Sequence, residues 1–249
     1  MQRRAVLGTA LCTLVACGDR DDRNGASGAP VTSEGPGGST STSMSADSAS
    51  RRDLTLVRVI NAASSGGELT VRADESRSLP PVGYKNVSPY VPIDENWTRF
   101  EVRGGSGAFE PLATNREVMR DGQRYSIVVM RTQDGTGFDT RVVRDDPGTD
   151  STRAHVRVIH AAPGVGDVTI RTANGQELFD DIGFSDEAGY KDVAPVSGAL
   201  EVVTSDRPQR VTRVSDLSLT AGRSYTIVLT RTADGKIEAF HVEDVRAGL

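Results

Sequence analysis

Apolar positions in this chain recur every second residue, in short runs broken by turn residues. Tyr225, Ile227 and Leu229 alternate with Thr226, Val228 and Thr230, which gives a strand with one mostly apolar face. Residues 156–160, 168–171, 200–204, 211–214, 224–231 and 237–242 are rich in Val, Ile and Thr and are predicted as strands. Pro163-Gly164, Asn174-Gly175, Ala221-Gly222 and Asp234-Gly235 mark turns between them. No long stretch carries a helical period. About seven short strands in about 100 residues predict an antiparallel β-sandwich.

The pattern occurs twice. Val57-Arg58-Val59-Ile60-Asn61-Ala62-Ala63 recurs as Val156-Arg157-Val158-Ile159-His160-Ala161-Ala162, identical at six of seven positions. Gly83-Tyr84-Lys85-Asn86-Val87 matches Gly189-Tyr190-Lys191-Asp192-Val193, and Arg131-Thr132 with Asp134-Gly135 matches Arg231-Thr232 with Asp234-Gly235. The offsets are 99, 106 and 100 in that order, so two connections are expected to differ in length between the copies: 73–82 against 172–188, and 88–99 against 194–198. The expected architecture is all-β, with two tandem antiparallel sandwiches at 54–146 and 154–249.

The N-terminus reads differently. Arg3 and Arg4 precede an apolar run of 12 residues, Ala5 to Ala16, which is shorter than the roughly 20 residues needed to span a bilayer. It fits the apolar region of a signal peptide, residues 1–16. Leu14-Val15-Ala16-Cys17 resembles the lipobox of bacterial lipoproteins. The resemblance implies cleavage before Cys17 and a diacylglycerol on its thiol, which anchors the chain in a membrane. Arg3-Arg4-Ala5-Val6-Leu7 also resembles the twin-arginine export pattern. Gly18 stands where an inner-membrane lipoprotein carries Asp, which tilts the expected address toward the outer membrane, on its periplasmic or surface face, if the cell is Gram-negative. Residues 17–53 are Gly, Ser, Thr, Asp and Pro with almost no large apolar side chain, and are expected to be a disordered tether. As a flexible coil its 36 residues from 18 to 53 would reach about 30–36 Å. Cys12 lies in the removed segment and Cys17 is taken by lipid, so the sandwiches are expected to stand without disulfides.

Composition narrows the function classes. Net charge is −5, near −7 without Arg3 and Arg4, and no basic run appears, which argues against a nucleic-acid partner. Aromatic residues are 5% of the chain, too few for stacking platforms.

Leu219-Thr220-Ala221-Gly222-Arg223-Ser224-Tyr225 and Met119-Arg120-Asp121-Gly122-Gln123-Arg124-Tyr125 share a spacing that resembles the tyrosine corner of Greek-key sandwiches. Tyr125, Tyr225, Gly122 and Gly222 are therefore read as structural. A V-R-V-x-H-A opening with an L-x-x-G-x-x-Y close resembles a family catalogued only as a domain of unknown function, family 4397, often found in tandem in bacterial envelope proteins. The resemblance runs from Leu54 to the C-terminus in two copies and implies an immunoglobulin-like sandwich and no assigned activity. The first copy departs from it at Asn61, where the family pattern has histidine.

No residue set supports a reaction, a metal or a cofactor. His155 and His160 are five apart on one strand, so they face opposite ways and cannot chelate jointly. His160 is read as a polar strand-end residue. Gly164-Val165-Gly166 breaks the phosphate-loop pattern at Thr169, and Ser106 lacks the spacing of a nucleophile elbow. Asp145-Asp146 and Asp180-Asp181 diverge as strand neighbours and have no EF-hand spacing. Asn96-Trp97-Thr98 fits a glycosylation sequon, which the bacterial lipobox makes a coincidence. The expectation is a lipid-anchored, exported cell-envelope protein whose sandwiches serve a non-catalytic binding or spacer role, with an envelope protein or polysaccharide as partner. The alternative is an envelope hydrolase with an unrecognised site, which requires a concave cluster of His, Asp, Glu or Ser.

Overall fold

The computed structural model describes residues 54–74, 77–93, 97–105, 110–207 and 209–244. The signal segment, Cys17, the tether, Ser106 and the sequon's Asn96 lie outside the described residues. Among those described, the secondary structure is all strand, and no helix is long and apolar enough to cross a membrane.

Eight strands build each copy. The first has β1 (Thr55–Asn61), β2 (Leu69–Ala73), β3 (Arg77–Ser78), β4 (Val91–Ile93), β5 (Trp97–Gly104), β6 (Ala113–Val118), β7 (Arg124–Arg131) and β8 (Phe138–Arg144). The second has β9 (Ala154–Ala161), β10 (Val168–Thr172), β11 (Glu177–Ile182), β12 (Glu187–Val193), β13 (Val196–Thr204), β14 (Arg210–Leu219), β15 (Ser224–Arg231) and β16 (Ile237–Glu243). In the first copy an inner sheet of order β4-β1-β7-β8 packs on an outer sheet of order β3-β2-β5-β6. The second repeats this with β12-β9-β15-β16 on β11-β10-β13-β14. The pairs are antiparallel except β1 with β7 and β9 with β15, which run parallel.

Each sandwich has its own core. Val57, Val59, Ile127 and Val129 of the first inner sheet meet Leu69, Val71, Phe100 and Val102 of the outer sheet. Val156, Val158, Ile227 and Leu229 meet Val168, Ile170, Leu200 and Val202 in the second. A third core joins the two copies. Ile60, Val128 and Met130 on the far face of the first inner sheet pack with Ile159, Ala161 and Val228 on the far face of the second. The central strands β1, β7, β9 and β15 are therefore buried on both faces, with β9 buried at every residue and β15 at all but Arg231. The face of Thr226, Val228 and Thr230, which alternation alone leaves polar, is an inter-sandwich contact. Burial on both faces is also the usual setting of parallel strand pairs.

The geometry corrects the repeat register. Tyr90 and Tyr190 each donate a phenol hydrogen bond to an aspartate at the end of their copy, Asp145 and Asp244, at 2.7 and 2.8 Å. Gly83 and Gly183 close equivalent turns: Lys85 N–H donates to Asn61 O at 2.9 Å and Ser185 N–H to His160 O at 2.8 Å. Tyr84 thus corresponds to Phe184, and Tyr90 to Tyr190, at an offset of 100. The match of Gly83-Tyr84-Lys85 to Gly189-Tyr190-Lys191 is fortuitous; the expected length difference at 73–82 against 172–188 shrinks to one residue, and the one at 88–99 against 194–198 is not found, since the offset is 100 on both sides of it. The true counterparts look unalike because Pro89, Val91, Gly189 and Lys191 are not fully buried, so packing does not dictate them.

Candidate functional site

The densest polar cluster lies inside the inter-sandwich contact, beside the third core. It grows from one charged position inside a Val-x-Val-Ile run: Arg58 in β1 and Arg157 in β9, each 3% exposed or less. Arg58 Nε donates to Ser126 Oγ at 2.7 Å, and its Nη2 donates to Asp244 Oδ1 of the other copy. Arg157 Nε donates to Thr226 Oγ1 at 2.8 Å, and its Nη2 donates to Asp145 Oδ1 of the first copy. Ser126 Oγ donates to Asp145 Oδ2 at 2.8 Å and Thr226 Oγ1 to Asp244 Oδ2 at 2.7 Å. Each arginine lies over a tyrosine ring, Arg58 4.9 Å from Tyr90 and Arg157 4.8 Å from Tyr190. The arrangement is a pseudo-two-fold cross-clasp: the arginine of each copy holds the terminal aspartate of the other.

Electrostatics keep the clasp charged. Burial opposes both guanidiniums, but Asp244 and Asp145 around Arg58, and Asp145 and Tyr190 around Arg157, outweigh it and hold both above the ordinary range. Burial pushes the Tyr90 and Tyr190 phenols up, and neighbouring aspartates add to the effect. These phenols stay protonated and act as donors.

Tyr125, Tyr225, Gly122 and Gly222 lie in equivalent places in the two copies. Tyr125 OH accepts from Arg120 N–H at 3.1 Å, and Tyr225 OH from Thr220 N–H at 3.2 Å. Gly122 and Gly222 have φ of 70° and 74°, a left-handed turn ahead of β7 and β15. His160 and Asn61 serve one purpose at the ends of β9 and β1. His160 Nδ1 accepts from Ala162 N–H at 3.3 Å, and Asn61 Oδ1 accepts from Ala63 N–H at 2.9 Å. Burial lowers the His160 pKa.

His155 sits on the opposite face of β9 from His160. Its Nδ1 lies 2.6 Å from Asp192 Oδ1, and Ser224 is its register neighbour on β15. The residue types suit acid–base and nucleophilic chemistry. The setting does not: His155 is 0% and Ser224 1% exposed, and His155 Nε2 and Ser224 Oγ are both buried without a hydrogen-bond partner, so they do not bond each other. The connection at Gly148 covers the ring so closely that a Cβ there would fall 2.7 Å from Nδ1. Among the described residues, no three His, Cys, Asp or Glu side chains gather as a metal site. Asp145 is taken up by the clasp, while Asp180 and Asp181 are exposed.

The outer sheets carry charge where solvent reaches it. Arg72, Arg99, Arg103 and Arg116 surround Glu101 along a groove of about 630 Å³ on the first. Arg171, Arg210 and Arg213 surround Glu201 on the second, at 3.1, 3.6 and 3.1 Å. Hydrogen bonds from these arginines hold both carboxylates below the usual range. Spacing does not reveal the two clusters, because the members of each, carboxylate included, come from three strands.

The family described as a domain of unknown function (DUF4397) matches residues 55–171 and again residues 154–248. No curated protein matches the chain. Among solved structures, it is similar to a candidate cell adhesion protein of Bacteroides fragilis at 12% identity, over 73% of this chain and 84% of that one, with a TM-score of 0.21. Another candidate cell adhesion protein, of Bacteroides uniformis, is similar at 11% identity over 78% and 97%, with a TM-score of 0.24. A family CBM26 module of Amy13K from Eubacterium rectale, solved with maltoheptaose, is similar at 12% identity over 77% and 98%, with a TM-score of 0.23.

Proposed function

This chain belongs to the DUF4397 family, a domain of unknown function, and from its own geometry we propose that it is a non-catalytic cell-envelope module: a lipid anchor at Cys17, a tether, and two sandwiches locked into one block that binds or spaces. The observation that carries this reading is the cross-clasp. Among the described residues, a concentrated set of acid, base and hydroxyl groups is buried and joins the copies. What remains for a partner is the outside of the block. A rigid block on a long tether suits presentation at a distance from a membrane. The anchor rests on Leu14-Val15-Ala16-Cys17 and the basic start before it.

Crosslinking and pull-down from intact envelopes, comparing wild type with Cys17→Ser, tests this reading. Recovery of a specific partner with the anchored form, and release of the unlipidated variant to the soluble fraction, supports it. Membrane retention of Cys17→Ser overturns the anchor.

The composition Asp192, His155 and Ser224 is the one observation that favours the hydrolase alternative. It requires the connection over Gly148 to lift. An active-site serine probe that labels wild type and not Ser224→Ala would decide for it.

A further inference from the structure

Charge is distributed unevenly over this acidic chain. Net charge is −5, yet the exposed face of the first outer sheet gathers four arginines against Glu101 and Asp74. Pairing registers place them. Arg72 on β2 stands opposite Glu101 on β5, and Arg99 on β5 stands opposite Arg116 on β6. Neighbouring strands lie about 5 Å apart, and four residues along β5, from Arg99 to Arg103, span about 13 Å. The guanidiniums therefore form a plane of cations with spacings both across and along the strands. Glu101 holds two of them, pairing with Arg99 at 3.1 Å and accepting a hydrogen bond from Arg103 at 2.6 Å. Arg116 is exposed, and no ion pair of its side chain occurs among the described residues.

We propose that this face binds an acidic polysaccharide, whose repeated carboxylates are received by Arg72, Arg99, Arg103 and Arg116. The inference deepens the binding role proposed above and rests on it. Guanidinium forks match carboxylates in two-point hydrogen bonds, and several forks in one plane suit an anion that recurs along a chain better than a single small one. A membrane surface fits less well. The large apolar side chains exposed among the described residues are Leu112 and Val118, 37% and 49%. They lie six positions apart along and just before β6, roughly 20 Å in an extended strand, and form no patch that could insert.

The test is electrophoresis of the purified full chain through gels containing polygalacturonate, with neutral dextran gels as reference. Wild type is expected to be retarded by polygalacturonate alone, less so as salt is raised. Arg99→Gln/Arg116→Gln should bind roughly 5- to 30-fold more weakly, as expected for the loss of two exposed ion contacts of modest worth. Arg99→Lys/Arg116→Lys, which keeps the charge and loses the fork, should fall between them. Arg210→Gln/Arg213→Gln on the other outer sheet should match wild type, which separates this face from general cation content. Unfolding midpoints are measured alongside, so that a misfolded variant is not scored. No retardation of wild type, equal retardation of Arg99→Gln/Arg116→Gln, or retention by phosphatidylglycerol vesicles alone overturns the proposal. If envelope crosslinking still recovers a partner when polygalacturonate fails, the polysaccharide assignment falls and the binding role stands.

Discussion

Arginine meets carboxylate in two regions of this molecule, and the same chemistry does different work in each. Between the sandwiches, Arg58, Arg157, Asp145 and Asp244 have side chains 0–3% exposed and are saturated by Ser126, Thr226, Tyr90 and Tyr190. On the outer sheets, the arginines around Glu101 and Glu201 are mostly in reach of water. Removing one member of the buried set leaves a charge that water cannot reach. Removing one outer member leaves a charge that water solvates. The difference is one of solvent: the buried ion pairs join the two copies where water is excluded, while the outer ones face it.

The comparison can be broken most sharply at its centre. Arg157→Met strands Asp145 in the contact and should lower stability by about 3–5 kcal/mol, read from urea denaturation. Replacing Arg157 and Asp145 together by Met and Leu should recover most of that loss. Recovery would show that the charges specify docking more than they stabilise it. Met130→Ala opens the third core without touching a charge, and should cost about 2–5 kcal/mol in the same measurement. If it costs nothing, the apolar part of the contact is not formed in solution. Tyr225→Phe removes the acceptor for Thr220 N–H and should cost about 1 kcal/mol, with equal effect expected from Tyr125→Phe.

A pH test separates the two copies. His160 has its folded pKa lowered by burial, so the unfolded chain binds the extra proton. Its contribution is complete above the unfolded value of about 6.5 and is lost as pH falls below it. His160→Asn, which installs the residue of the first copy, should flatten the fall in stability between about pH 7 and pH 5. The smallest effect is expected outside: Glu101→Gln should leave the urea midpoint nearly unchanged.

Much of this architecture is legible in the sequence. Val, Ile and Thr at alternate positions gave β9, β10 and β13 to β16, with ends off by up to five residues. The strands β11 and β12 were missed, because Glu177–Ile182 and Glu187–Val193 are edge strands with acidic residues and glycine, where packing asks little of the side chains. The clasp left a trace that alternation alone passes over. Arg58 and Arg157 interrupt the same apolar block in both copies, and Asp145 and Asp244 end both copies at the same offset of 99. An arginine kept twice inside the same Val-Arg-Val-Ile run, with an aspartate kept twice at the far end, is the signature of a buried pair. The cross-over between copies was not readable, since each arginine has an aspartate in its own copy at equal sequence distance. The outer clusters needed the strand order before their members could be seen as neighbours.

The cross-clasp also sets a timetable. Arg58 is synthesised 186 residues before Asp244. At about 5–20 residues per second, it waits roughly 10–40 s for its partner. Once β7 and β8 have joined β1, and until the second copy docks, the first inner sheet presents Ile60, Val128 and Met130 to the surroundings, with a hydrated guanidinium beside them. The charge that ends up buried is then the feature that discourages the unfinished half from sticking to the wrong neighbour.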